Sequence, residues 1–410
     1  MKVDLQCKLS DAHLSVEQVS SQRQLSVSVA AKGGGVSAPL NVCFVLDRSG
    51  SMVGMPLQTV KQAANRMVDR LTERDRISII AFDHKAEVLI ANELATNLDA
   101  IKKRINRLQA GGGTCIDDGL KAGIEQLAAG KEGYVSQLLL LTDGENEHGD
   151  NARAIKLADV AIGYNLTVNT LGFGDHWNQD VLEQIADAGG GSLSYIEHAE
   201  EAIAAFGRLF TRMQSVSLTN AFLNLELLSG THLADLKPVA QVAPETVELS
   251  ANTQAQLAVI RIGDLMIDEP RVILLTMYVP QLAEGTVPIA KIQVTYDDPA
   301  FDLTAQTTES QTISILAQSA YTPSVNPDVQ QHILALAKYR QTQIAEDKLR
   351  AGDRTGAVTM LQSAANTAIQ MGDKNAATVL QRNATQLQEG KDLSERDRKK
   401  TRIASKTQLQ

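Results

Sequence analysis

Polar and apolar residues alternate through the first 37 positions, with Leu25, Val27 and Val29 on one face of a strand and Ser26 and Ser28 on the other. The glycines Gly33, Gly34 and Gly35 break that pattern. Over residues 40–213 the texture changes. Short, largely apolar runs at 41–46, 77–82, 137–142 and 166–171 are separated by helical stripes, the clearest being Leu57, Val60, Ala64, Met67 and Leu71. The spacing predicts further helices near 101–108, 116–127 and 152–162. Strands apolar on both faces, alternating with amphipathic helices, predict a doubly wound α/β domain with a parallel sheet, a Rossmann-like arrangement.

Beyond residue 214 the helical stripes stop. Runs at 222–228, 256–262, 272–279 and 289–295, punctuated by Pro244, Pro270, Pro280 and Pro299, predict a β-sandwich. The N-terminal strands have no partner within a closed α/β unit, so they are expected to pair with this later sheet, which makes the α/β domain an insertion. Pro323 and Pro327 end the sheet region, and helix formers dominate 329–388. Asp353 and Asp373, each after a glycine and before a fresh apolar stripe, are placed as N-caps of a helical hairpin or three-helix unit resembling a tetratricopeptide element. Residues 391–410 carry seven basic and three acidic residues, a net of +4 on a remainder of −13, and are expected to be a disordered tail. The predicted organisation is strands at 1–37, the α/β domain at 38–214, the sandwich at 215–322, helices at 323–390 and the basic tail at 391–410.

At 410 residues the chain has room for two to four domains of about 100–200 residues each. Its 39 basic and 48 acidic residues give a net charge of −9, which argues against a nucleic-acid clamp and for proteins or cations as partners. Cys7, Cys43 and Cys115 match neither a disulfide framework nor paired zinc spacing, so a reducing compartment is expected. The opening MKVDLQCKL lacks the pattern of a secretory signal, and the longest apolar runs, 138–141 and 272–275, fall far short of the roughly 20 residues that span a bilayer. These features predict a soluble, cytoplasmic protein without a membrane span.

Ligands of open α/β sheets sit at the carboxyl ends of the strands, and the informative polar residues cluster there. Asp47 follows the first apolar strand and opens Asp47-Arg48-Ser49-Gly50-Ser51. Asp143 follows the run 137–142 in the same way, and Thr114 ends the glycine run Gly111–Gly113 ahead of a helix. Two carboxylates and three hydroxyls at one edge make an all-oxygen site for a hard divalent cation, Mg²⁺ or Mn²⁺, with Ca²⁺ a further candidate. Asp47 and Asp143 neutralise such a cation without saturating it, which leaves a position for an anionic oxygen from a partner and favours metal-bridged binding over hydrolysis.

Asp47, Ser49 and Ser51 form D-x-S-x-S, Thr114 stands in G-G-T and Asp143 in T-D-G. Together they resemble the metal-ion-dependent adhesion site of a von Willebrand factor A domain, over roughly residues 40–213. The resemblance implies a cation held directly by Ser49, Ser51 and Thr114, with Asp47 and Asp143 acting partly through waters. It departs from the family at Cys115, where Asn is often found. The N-terminal strands and the later sheet resemble bacterial members of the inter-alpha-trypsin-inhibitor-like and calcium-activated-chloride-channel-like groups, the second of which implies no pore here.

Other features have blander readings. No lysine follows Gly111–Gly113 as a phosphate-binding loop requires, and Gly172-Phe173-Gly174 lacks the third glycine of a dinucleotide fingerprint. Glu145, Glu147 and Asp150 lie in an acidic loop that either recruits a second cation or is simply solvated. His148 and His176 read as surface residues, and Cys115 as a packing residue. Trp177 is a candidate partner contact, with local packing as the alternative. Thr401 and Thr407, among basic residues, are candidate phosphosites. The expected function is an intracellular, divalent-cation-dependent protein-binding module, not an enzyme, that docks an Asp or Glu of a protein partner. The alternatives are a metal-assisted hydrolase, with Glu145, Glu147 and His148 as its only nearby bases, and a scaffold with a vestigial site.

Overall fold

The computed structural model describes residues 2–33, 38–174, 177–196 and 199–406, with 199–202 described by their backbone alone. His176 and Thr407 lie outside the described residues. Three strands open the chain: β1 (Val3–Leu9), β2 (His13–Ser15) and β3 (Ser20–Ala31). The chain divides into two compact units, one formed by Gly34–Asn220 with Tyr296–Gln306 and the other by the remainder.

The unit that carries the candidate site contains β4 (Leu40–Asp47), α1 (Met55–Val68), β5 (Arg76–Phe82), β6 (Ala86–Leu94), α2 (Leu98–Asn106), α3 (Ile116–Ala129), β7 (Val135–Thr142), α4 (Asn151–Gly163), β8 (Leu166–Phe173), α5 (Gln179–Ala188), β9 (Gly190–Ile196) and α6 (Ala199–Ser215). Its sheet runs β6-β5-β4-β7-β8-β9, parallel throughout except for the antiparallel β5–β6 pair. Every residue of β4, β7 and β8 is buried, the state that the apolar stretches 42–46 and 138–141 require of strands covered on both faces. On one pleat Cys43, Val45, Ile80, Phe82, Leu138 and Leu140 pack against Leu120 and Ile124 of α3, Ala154 and Ala158 of α4, and Val181 and Ile185 of α5. Helix α3 approaches the sheet closely because it carries glycine there. A Cβ on Gly123 would lie 2.7 Å from Val45 Cγ2 and 2.8 Å from Leu138 Cδ1.

The later strands are β10 (Val216–Leu227), β11 (His232–Leu233), β12 (Val239–Ala243), β13 (Val247–Glu248), β14 (Ala251–Gln254), β15 (Leu257–Met266), β16 (Arg271–Pro280), β17 (Gly285–Asp298), β18 (Leu303–Thr307) and β19 (Gln311–Gln318). They form two further sheets, β1-β3-β16-β12-β13 with β11 beside β16, and β14-β15-β10-β17-β19-β2 with β18 beside β17. The N-terminal strand β3 is antiparallel to β16 from Ser20↔Pro280 to Val29↔Arg271.

Four helices end the chain: α7 (Pro327–Arg350), α8 (Arg354–Gln370), α9 (Lys374–Gln388) and α10 (Glu395–Ser405). Asp353 and Asp373 cap α8 and α9, accepting from Gly356 N at 2.8 Å and Ala376 N at 2.9 Å. Before each of them a glycine turns the chain at positive φ, Gly352 at 78° and Gly372 at 79°, a conformation other residues adopt at a cost. The disorder expected over 391–410 is corrected for residues 395–405, which form α10. A capping box joins Ser394 and Asp397, Arg402 Nη2 pairs with Glu346 Oε2 at 2.6 Å, and Lys399 is only 1% exposed. Composition misled because the basic residues of this segment include some that pack and pair instead of standing in water. No helix among the described residues is long and apolar enough to cross a membrane.

Candidate metal centre

Because β4 and β7 are parallel with Leu46 opposite Leu141, the strands end side by side and bring Asp47 next to Thr142 and Asp143. Asp47 is fully buried, and its neighbours hold it through neutral donors. Ser49 N donates to Oδ1 at 2.7 Å, and the Thr142 hydroxyl donates to Oδ2. From there a chain of oxygens crosses the strand ends. Ser49 Oγ and Ser51 Oγ are 3.0 Å apart, and Ser51 Oγ donates to Asp143 Oδ1 at 2.6 Å. Thr114, 3% exposed, reaches the same place, since a Cβ on Gly144 would lie 3.4 Å from Thr114 Oγ1 and 3.6 Å from Ser51 Oγ. The structure thus brings Asp47, Ser49, Ser51, Thr114 and Asp143 to one spot beside a glycine.

Backbone bonds hold the three loops together. Gly50 N donates to Gly112 O at 2.9 Å and Gly111 N to Arg48 O at 2.8 Å, while Cys115 N donates to Asp83 O at 2.7 Å and His148 N to Thr114 O at 2.9 Å. Burial pushes the Asp47 carboxyl up to about 6; the bonds from Thr142 and Ser49 oppose that shift, and the nearby charge of Asp143 adds to it. Arg48, the nearest cation in sequence, is paired with Asp83 at 3.0 Å and Glu87 at 2.6 Å. A buried carboxylate with neutral donors, a second carboxylate and three hydroxyls beside a side-chain-free glycine form a donor set that fits a hard divalent cation.

Sequence reasoning named Thr142 and Gly144 only as the flanks of Asp143 in T-D-G and gave Arg48 no role, and it missed Asp83. Nothing local pointed to the roles of Arg48 and Asp83. Most other residues singled out earlier lie elsewhere or do other work. Asp150 caps α4, accepting from Ala152 N at 2.8 Å and Arg153 N at 3.2 Å. Glu145, Glu147 and His148 are exposed, and the His148 ring stays at the site, over Gly113, where a Cβ would come within 2.4 Å of it. Cys115 is 5% exposed, and burial pushes its thiol up to about 11. Its acidic neighbours Asp117 and Asp118 accept from Arg153 Nη1 at 2.8 and 3.1 Å, an arrangement that reads as an ion pair.

Two expectations are corrected. Trp177 is not a partner contact. It is 2% exposed, its Nε1 donates to Gly174 O at 2.7 Å, and its indole fills the space over Gly172, where a Cβ would come within 2.2 Å of the ring. Thr401 is not an accessible phosphosite. It is 2% exposed in α10, donates to Asp397 O at 2.9 Å and accepts from Asn383 Nδ2 at 2.6 Å.

With that geometry in place, comparison with known proteins is informative. Residues 41–207 match the von Willebrand factor type A domain, and residues 327–410 match the Sll0103-like C-terminal alpha-helical domain. The uncharacterized protein sll0103 of Synechocystis is 58% identical over all of this chain and 98% of its own length. Human inter-alpha-trypsin inhibitor heavy chain H4 is 30% identical over 47% of this chain but only 22% of its own. Among solved structures, a von Willebrand factor type A protein from Catenulispora acidiphila superposes with a TM-score of 0.83 over 99% of this chain and 97% of its own, at 20% identity, a likeness of fold. The chain belongs to the von Willebrand factor type A family, in the branch that carries an Sll0103-like C-terminal helical domain.

Proposed function

We propose that this protein is a divalent-cation-dependent protein-binding module that docks an aspartate or glutamate of a partner. The observation that carries the reading is the chain Asp47–Ser49–Ser51–Asp143, with Thr114 alongside, at the strand ends. Ser49, Ser51 and Thr114 would hold the ion, with Asp47 and Asp143 supplying the charge that neutralises it. When bound, Mg²⁺ or Mn²⁺ supplies a positive centre for a partner's carboxylate. Thr142 and the backbone of Ser49 fix the Asp47 carboxylate in advance.

A non-enzymatic role is favoured over metal-assisted hydrolysis because Glu145, Glu147 and His148 are all exposed to solvent, whereas a general base is held in place by its neighbours; His148, whose ring lies over Gly113, is the base that a hydrolase would use here. Three free thiols, two of them buried, support a cytoplasmic location, which cell fractionation tests. Calorimetry with Mg²⁺ and Mn²⁺ tests the metal site. Wild type should bind one ion, and Asp143→Ala should lose it while keeping its circular dichroism. Equal affinity in the two proteins would sink the proposal, and turnover in a phosphatase and esterase screen would favour the hydrolase.

A further inference from the structure

The rim of the metal edge says what kind of partner it fits. Val53 and Met55 follow Ser51 by two and four residues and are 65% and 64% exposed, whereas Met52, just ahead of them, is fully buried. Scattered exposed apolar residues are ordinary, but two on one turn directly beside a buried polar site are a local feature. The turn is fixed. Val53 N donates to Gly50 O at 3.3 Å, Gly54 takes φ 90°, and α1 begins at Met55. Consecutive Cα atoms lie about 3.8 Å apart, so Val53 stands within roughly 8 Å of Ser51.

Glu145 and Glu147 likewise follow Asp143 by two and four residues, and both are exposed. Gly144 N, bonded to Thr142 Oγ1 at 3.1 Å, anchors the start of that loop. Gly111 and Gly112, exposed and without side chains, line the approach between the two loops, with the His84 ring against Gly112 and the His148 ring over Gly113. The charge of Arg48 is committed to Asp83 and Glu87. The pit therefore has an apolar rim on the Ser51 loop and, on the Asp143 loop, a rim of two carboxylates with His148 at its inner side.

We infer that the partner segment carries an aspartate or glutamate with an apolar residue on one side and a lysine or arginine on the other, which seat on Val53 and Met55 and on Glu145 and Glu147. An extended segment advances about 3.3 Å per residue, so neighbours one or two positions from the docked acid reach both rims. Apolar burial rewards one flank, and charge complementarity selects the other and rejects acidic flanks. The inference rests on the proposed docking of a carboxylate at the metal edge.

The test uses the full chain and immobilised short peptides, Leu-Asp-Lys and Lys-Asp-Leu in neutral surroundings, with versions replacing Leu by Ser, Lys by Glu or Asp by Asn, in Mg²⁺ and in chelator. One orientation should bind about tenfold more tightly in Mg²⁺ than its Ser and Glu versions. Val53→Ser with Met55→Ser should erase the apolar preference, and Glu145→Gln with Glu147→Gln the charge preference, while both variants keep the Mg²⁺-induced rise in melting temperature. Equal binding of all flanks, or no binding, by protein that shows that rise overturns the inference. Binding indifferent to chelator and to Asp→Asn would instead defeat carboxylate docking itself.

Discussion

Asp47 shows how far single residues can be read. Its place at the end of an apolar strand, two residues ahead of Ser49, was legible because strand ends are where an α/β sheet exposes its loops. What no sequence displays is that the side chain is fully buried, with a carboxyl pushed up to about 6 by that burial. An acid raised in the fold destabilises it wherever the unfolded chain would be ionised. The penalty is full above about pH 6 and fades as pH falls toward the ordinary aspartate value near 4. Asp47→Asn keeps the bonding pattern, since an amide oxygen can accept from Ser49 N and the amide NH₂ can face the Thr142 oxygen. In chelator at neutral pH this variant should therefore be more stable than wild type in urea unfolding, by on the order of 2 kcal/mol. Added Mg²⁺ should stabilise only the wild type. A variant less stable than wild type in chelator would show that the carboxylate is not under strain. Trp177 and Thr401 were illegible for a different reason. A lone residue in a loop or a charged segment has no periodicity to reveal its burial, and at both positions the local hydrogen bonds decide.

At the scale of elements the apolar runs were the strongest signal. Strands β4, β7 and β8 of the α/β sheet are buried from end to end, and only that state makes sense of sequences such as LNVCFVLD and VSQLLLLT. Helix packing was less legible, because Gly119 and Gly123 in α3 resemble mere helix weakeners until the sheet beneath is seen. Gly123→Ala improves helix propensity by about 1 kcal/mol yet drives a methyl into Val45 and Leu138. Overpacking should win, with a net loss of about 1–3 kcal/mol measured by denaturant unfolding. Stabilisation instead would mean that α3 can lift without cost. Helix α10 was hidden by composition, since seven basic residues in twenty read as solvated tail until the pairing of Arg402 with Glu346 and the burial of Lys399 and Thr401 are known. Thr401→Glu forces a charge into that packed face. Hydrogen exchange across 395–405 should accelerate in the variant, whereas unchanged protection would restore Thr401 as a surface site.

Whole-molecule organisation depends on residues far apart in sequence, and here the N-terminal strands were informative by what they lacked. A strand pattern with no partner within the α/β unit implies pairing at long range, and β3, flanked by β1 on one side, lies against β16 on the other over ten residues in register, Ser20 to Val29. The partners of individual polar groups at such distances carry no sequence signal at all. Asp11 is 8% exposed between β1 and β2, and it holds the segment ahead of α7. Ser324 N donates to its Oδ1 at 2.9 Å, as does His13 N at 2.9 Å, and the Tyr321 hydroxyl donates to Oδ2, with Arg23 Nη2 at 3.9 Å. Burial alone would raise this carboxyl, but the three hydrogen bonds and the guanidinium together hold it below the usual carboxylate range. An acid lowered in the fold contributes stability that is fully present above its unfolded value near 4 and is lost as pH falls through the folded value. Asp11→Asn removes the charge and leaves an amide NH₂ facing the Tyr321 hydroxyl. It should destabilise the protein at pH 7 by about 1–3 kcal/mol, the range for a charged group that accepts several hydrogen bonds. The gap between wild type and variant in urea unfolding should then narrow as pH drops below about 4, because the wild-type carboxyl becomes protonated and the two side chains become alike in charge. A gap that stays constant with pH would place the loss in packing, and the ionised carboxylate would then not be what ties residues 321–324 to the first strands.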